Sequence, residues 1–118
     1  MIEQIVYNYL KEALDVPVHF QMPESLKHPN KSDTVEFVKV EKTGSSENNK
    51  IYNATFAIQS YAGSIYDAAL LNEKVKNAMM QIIKLDEVTS VDLNSDYNYT
   101  DTSSKYYRYQ AVFDLVHY

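Results

Sequence analysis

Three histidines are the residues of this chain whose chemistry most resembles that of catalytic side chains. His19, His28 and His117 are far apart in the sequence and fall on different predicted elements. No nucleophile-elbow motif accompanies them, so the sequence gives no support to a Ser–His–acid arrangement. We interpret the three histidines as structural or surface residues.

A loose group of aspartates is the other candidate for chemistry, at Asp92, Asp96 and Asp101. Paired carboxylates can hydrolyse glycosidic bonds or bind a divalent cation. Asp92 and Asp96 are predicted to share a strand face but to lie about 13 Å apart, from the rise of an extended strand. Two carboxylates at that distance do not act on one bond, so we predict no catalytic pair here.

The sequence also lacks the residue types on which several site classes depend. There is no cysteine, which excludes disulfides, thiolate catalysis and cysteine-ligated metal centres. Only two glycines are present, and no Walker, GxGxxG, HExxH or calcium-loop pattern occurs. We therefore expect neither an enzyme nor a bound cofactor or metal.

Length and charge further limit the kinds of protein that this chain can be. With 118 residues and 45% hydrophobic composition, the chain is predicted to be one domain, residues 1–118. The net charge is −5 and the basic residues are scattered, so we expect no recognition of nucleic acid. Glu3 interrupts an N-terminus without a basic region, and no apolar run approaches about 20 residues. We therefore expect no signal peptide, no membrane span, and a cytoplasmic location where the protein is made.

Any site must be positioned by the helices and strands of the chain. The first is a helix predicted over residues 2–14, and Pro17 prevents it from continuing. A short extended segment at 18–20 and a long loop at 21–34 follow. The strand predicted at 35–42 has apolar residues in both phases, which indicates partial burial on both faces or a bulge. A turn-rich hairpin connection is predicted at 43–49, and the next strand at 50–60.

The main helix is predicted over residues 64–85. Ser64 and Asp67 fit a capping pattern at its start. Its apolar stripe consists of Ala68, Leu71, Val75, Ala78, Met79 and Ile82. We expect this stripe to pack on the sheet face that bears Phe56, Ile58, Leu93 and Phe113.

Two strands, at 88–99 and 106–117, are predicted to close the chain as a hairpin with the linker 100–105. The predicted fold is α+β, a single mostly antiparallel β-sheet with an N-terminal helix and one long central helix packed on one face.

Tyrosines are concentrated in this last hairpin. Strands favour tyrosine in any case, but tyrosine and arginine are also enriched at protein interfaces. Tyr106 and Tyr107 point to opposite faces, so at least one of them is predicted to be free for a partner. Arg108 is the only arginine of the chain. The predicted self-association site consists of Tyr97, Tyr99, Asp101, Tyr106 and Arg108.

Four segments together resemble the tail terminator, or tail completion, proteins of phages with long non-contractile tails, in the form common in phages of low-GC Gram-positive hosts. They are spread along the chain from residue 16 to residue 118. The segments are VPVHFQMPE (16–24), EFVKVEKTG (36–44), ATFAIQSYAGSIYDAALLNEKVKNAM (54–79) and LNSDYNYTDTSSKYYRYQAVFDLVHY (93–118).

This resemblance implies a ring of six copies on the head-proximal end of the tail tube. Such a ring stops tube polymerisation and meets the head-tail connector, so the implied partners are the chain itself, the major tail tube protein and the connector or stopper protein. The implied location is the head-proximal end of the tail in the virion, and the host cytoplasm during assembly. A closed ring needs a heterologous interface, which an unpaired sheet edge or the tyrosine-rich hairpin would supply.

Three alternatives remain open from the sequence. The first is another small head-tail connector or neck protein, a stopper or an adaptor. The second is a small metal-dependent hydrolase, which needs a pocket with convergent acids. The third is a regulatory binding module, which needs a groove or one large apolar patch.

Overall fold

A computed structural model describes residues 1–21, 36–100 and 106–118 of the chain. These residues form two α-helices, one short 3-10 helix and five strands. The elements in chain order are α1 (Ile2–Ala13), β1 (Val18–His19), β2 (Phe37–Asn48), β3 (Ile51–Ala62), α2 (Ile65–Met80), the 3-10 helix (Ile82–Lys84), β4 (Val88–Asn98) and β5 (Tyr107–His117). The loop predicted at 21–34 and the linker predicted at 100–105 lie almost entirely outside the described residues.

The five strands form one sheet in the order β1-β2-β3-β5-β4. β1 runs parallel to β2, and the other neighbouring pairs are antiparallel. Both helices lie on one face of this sheet, which we call the helix face, and α2 packs over β3 and β5. The predicted α+β fold is therefore confirmed.

The N-terminal helix packs through a narrow apolar face. Val6 and Leu10 are fully buried, and the chain turns extended at Leu14, close to the predicted end of the helix. The hydroxyl of Tyr9 donates a hydrogen bond to the Ala78 carbonyl oxygen at 2.6 Å, which ties α1 to the end of α2. Burial raises the pKa of the Tyr9 phenol, as desolvation disfavours its charged form.

The hairpin connection predicted at 43–49 is wrong, because β2 continues through it to Asn48. A register shift between Lys42 and Gly44 absorbs the change of phase, so the glycine marks a bulge rather than the turn. The turn itself is Asn49–Lys50, with φ values of 52° and 65°. Two residues in the left-handed region match the twist of the strands they join, which gives a tight two-residue hairpin.

The start of α2 is as predicted. Ser64 is the N-cap, and its hydroxyl oxygen accepts a hydrogen bond from the Asp67 amide at 3.1 Å. The α-helix ends at Met80, and the 3-10 helix continues the apolar stripe to Ile82. The buried residues of this stripe are Ala68, Leu71, Asn72, Val75, Met79 and Ile82.

The sheet face under α2 carries the buried Phe56, Ile58 and Phe113, as predicted. Leu93 was expected among them but is 39% exposed. It lies on the edge strand β4, which α2 reaches less fully than it reaches β3 and β5, so Leu93 is only partly covered.

Two register shifts in β4 reverse the facing of its residues. The second lies between Leu93 and Ser95, so Asp92 pairs with Asp114 whereas Asp96 pairs with Ala111. The prediction that Asp92 and Asp96 share a face is therefore wrong, since a bulge adds one residue and flips those beyond it. Asp96 lies on the helix face, where its carboxylate accepts hydrogen bonds from the Asn72 amide (3.0 Å) and the Lys76 ammonium (2.9 Å). 

The two-phase pattern at the start of β2 reflects burial on both faces, as predicted. Val38 and Val40 enter the main core, whereas Phe37 faces the opposite side of the sheet, which we call the open face. There the Phe37 ring stacks on Tyr61 with centroids 4.5 Å apart, and Tyr106 completes a second small core.

Leu71→Ala tests the packing of α2. Leu71 is 2% exposed, and its truncation leaves a cavity, so we expect a loss of about 2–5 kcal/mol in the free energy of unfolding. The matched control is Leu70→Ala, because Leu70 precedes it in the same helix and is 45% exposed. Chemical denaturation measures both. An unchanged midpoint in Leu71→Ala would show that this helix face lies outside the core.

Asp114 makes stability depend on acid pH. Hydrogen bonds from the side chains of Asn94 (3.0 Å) and Thr55 (2.8 Å) lower the pKa of Asp114, against partial desolvation. A lowered folded-state pKa gives stability that is present above the ordinary carboxyl range and lost as pH falls through the folded value. Denaturation midpoints measured from neutral pH into acid should therefore fall less in Asp114→Asn than in the parent chain. Parallel pH profiles for the two proteins would contradict this.

Candidate protein–protein interface

One end of the sheet concentrates aromatic side chains. There β3 ends, β5 begins and α2 starts, because Tyr61 pairs with Arg108 and Ala62 with Tyr107. We call this region the tyrosine end, and its members come from four elements and the segments beside them. They are Tyr61, Tyr66, Tyr97, Tyr99, Tyr106 and Tyr107.

Arg108 is bonded within its own chain. Its Nε donates to the Tyr99 carbonyl oxygen at 2.7 Å, and its Nη1 donates to the Tyr61 hydroxyl at 3.2 Å. The guanidinium carbon also lies 4.5 Å from the centroid of the Tyr99 ring, a cation–π distance. Arg108 was predicted to face a neighbouring chain. In the structure it acts as a clamp from the central strand β5, which ties the end of β4 on one side and Tyr61 of β3 on the other.

A chain of hydrogen bonds extends this clamp across the open face. The Tyr61 hydroxyl donates to Gln59 at 2.8 Å, Gln59 donates to Gln110 at 2.8 Å, and Gln110 donates to the Tyr97 hydroxyl at 2.6 Å. Together with Arg108, these side chains connect β3, β5 and β4. Linked polar groups of this kind fix one another's rotamers, so the ring of Tyr97 is held in place before any partner arrives.

Tyr97 and Tyr99 remain accessible as predicted for interface residues. They are 41% and 46% exposed, and their rings meet edge to face with centroids 5.7 Å apart. Asp101 lies outside the described residues. Of the predicted interface set, Tyr97 and Tyr99 therefore present open surface, and their contact with a partner remains a prediction.

The prediction that Tyr106 faces a partner is wrong for this conformation. It is 2% exposed and packs edge to face against Phe37 and Tyr61, with centroids 5.3 Å and 6.0 Å apart. A side chain so enclosed does not meet a neighbouring chain in this conformation. The outward-facing member of the pair is Tyr107, at 42% exposure. The sequence showed that the two tyrosines diverge but not which one meets Phe37.

Sequence reasoning missed apolar side chains on the outer surface of α2. Tyr66 and Leu70 lie one turn apart on the side away from the sheet, and Ile65 is also exposed. Helical periodicity contains the signal, since Leu70 falls outside the stripe of Ala68, Leu71 and Val75. We call these three residues, Ile65, Tyr66 and Leu70, the helix patch.

The sheet edges are poor templates for adding a strand. Within the described ranges, nothing pairs with the outer edge of β4, or with the outer edge of β2 beyond Lys39. Both strands contain bulges, two in β4 and one in β2. Charged side chains also lie along them, including Lys42, which forms an ion pair with Glu3 at 3.1 Å. Bulges and charges are the usual protection of an edge against pairing, which favours the tyrosine end as the contact surface.

The groups of chemical interest do not converge. His19 lies edge-on to Phe37 and His117 stacks on Tyr52, whereas His28 is outside the described residues. No group of three or more described His, Asp or Glu residues is arranged to hold a metal ion. Among the described residues, the side chains with shifted pKa values are spread over α1, α2 and β5 and do not form one cluster. They are Glu3, Tyr9, Lys76 and Asp114.

Neither helix of the described residues is long and apolar enough to cross a membrane. No family model matches the sequence, and no curated protein matches it closely. Function must therefore be inferred from the surfaces described above and from the sequence resemblance.

Arg108→Lys tests the clamp. A lysine keeps the charge but not the fork that reaches Tyr99 and Tyr61 together, so we expect about 1 kcal/mol less stability. Amide exchange should also become faster at Tyr99, whose N–H bonds the Arg108 carbonyl oxygen at 2.8 Å, while α2 stays protected. Unchanged exchange in this hairpin would show that the guanidinium does not hold it.

Proposed function

We propose that this chain is a ring-forming assembly protein of a phage tail, which caps the head-proximal end of the tail tube. In this role it stops tube polymerisation and forms the tail side of the head-tail joint. Its partners are further copies of itself, the tail tube protein and the connector. The function is mechanical and requires no reaction.

The observation that supports this most is the rigid, exposed tyrosine end. Tyr97 and Tyr99 are held by Arg108 and by the glutamine hydrogen bonds, so little side-chain entropy is lost when a partner covers them. Exposed tyrosines at such a surface are typical interface anchors. The rest of the structure agrees with the fold that the resemblance implies, one sheet with helices on one face.

A ring also needs two unlike surfaces on each copy, because a heterologous contact repeats around a closed circle. The chain has them at opposite ends of one sheet: the tyrosine end, and the β2–β3 hairpin with its turn at Asn49–Lys50. All residues from 41 to 53 are exposed, and the hairpin continues past Lys42, whose ion-pair partner Glu3 lies in the first turn of α1. Each copy therefore has a projecting end and a receiving end.

Inactivation of the gene in its phage, followed by negative-stain microscopy of the lysate, tests the proposal. Without a terminator the tube keeps polymerising, so we expect overlong tails without heads. A plasmid-borne copy should restore tails of normal length. Tails of normal length beside leaky heads would instead indicate a stopper or adaptor, and normal particles would exclude both roles.

A further inference from the structure

The tip of the β2–β3 hairpin carries an apolar residue that the described part of its own chain leaves exposed. Ile51 follows the turn and is 51% exposed, although it adjoins the polar Asn49 and Lys50. We call these three residues, Asn49, Lys50 and Ile51, the hairpin tip. An exposed isoleucine at the end of a projecting hairpin is a suitable plug for an apolar surface.

The helix patch is such a surface, but it lies at the far end of the same sheet. β3 begins at Ile51 and ends at Ala62, three residues before the patch. Its 12 residues span about 35–40 Å, and β2 and β5 pair with it on both sides. A strand fixed in this way cannot fold back, so a tip reaches only the patch of another copy.

Charges at the two surfaces are complementary. Lys50 lies in the tip, and Asp67 lies in the first turn of α2 beside Tyr66. Neither side chain forms an ion pair or hydrogen bond with another described residue. A lysine and a carboxylate left open at two apolar surfaces favour their association and set its direction.

We propose that the hairpin tip of one copy docks on the helix patch of the next, with Ile51 against Tyr66 and Leu70 and Lys50 beside Asp67. This inference rests on the proposed ring function and names the contact that builds the ring. The contact is heterologous, because tip and patch are different surfaces. It is also small, so each one is weak alone and the ring is held by several closing together.

The absence of cysteine from the chain allows a direct test. Ile51→Cys and Tyr66→Cys proteins are prepared separately, mixed and oxidised, and disulfide-linked heterodimers are measured on a denaturing gel. We expect several times more heterodimer than from Ile51→Cys mixed with Lys84→Cys, the matched control with an exposed cysteine elsewhere. A yield no higher than in this control would overturn the docking.

Charge exchange gives a second readout. Lys50→Glu or Asp67→Lys alone should lower the Ile51–Tyr66 cross-link yield by about two- to fivefold, and both changes together should restore it. Failure of the pair to restore the yield would contradict the charge pairing. An amine-reactive cross-linker applied to the parent chain separates the two proposals. If it traps rings while the cysteines do not link, the proposed docking is wrong and the proposed ring stands. If it traps no rings, both the docking and the ring are contradicted.

Discussion

The buried half of β3 is the constraint on which the rest of the structure depends. From Ala54 to Tyr61 the strand is paired on both sides. One face is covered by α2 over Phe56 and Ile58, and the other carries the Phe37–Tyr106 cluster around Tyr61. The first three residues of β3, beside the hairpin turn, are exposed in the described structure. One rigid strand therefore joins a fully packed end to an exposed end. The two ends of the molecule present different surfaces.

Polar side chains at the packed end also make its surface rigid. Gln59 is almost fully buried, and an amide buried without hydrogen-bond partners would destabilise the fold. Here it forms hydrogen bonds with both Tyr61 and Gln110. The same bonds, with Arg108, hold the exposed rings of Tyr97 and Tyr99. The side chains that satisfy the buried glutamine thus also stiffen the surface that a partner is proposed to meet. A variant such as Arg108→Glu would disturb both at once.

The secondary structure could be predicted from the sequence where local chemistry determines it. The predictions failed where the pairing between strands determines it. Ser64 and Asp67 predict the start of α2, and its apolar stripe predicts the buried face. The bulges in β2 and β4 are set by register with their neighbours, so the strand through Gly44 and the opposed facing of Asp92 and Asp96 were not predictable from alternation. For the site, tyrosine content indicated Tyr97 and Tyr99, but only the fold shows that Tyr106 is buried and that Arg108 bonds its own chain.

The central claim is that copies of this chain form one ring at the head-proximal end of the tail tube. The most direct test is to locate the protein on assembled particles, with an epitope tag on a functional copy and gold-labelled antibody in negative-stain micrographs. The account predicts a single cluster of label at the junction of head and tail, and at one end of isolated tails. Label along the tube, at the distal tip, or only on unassembled protein would contradict it.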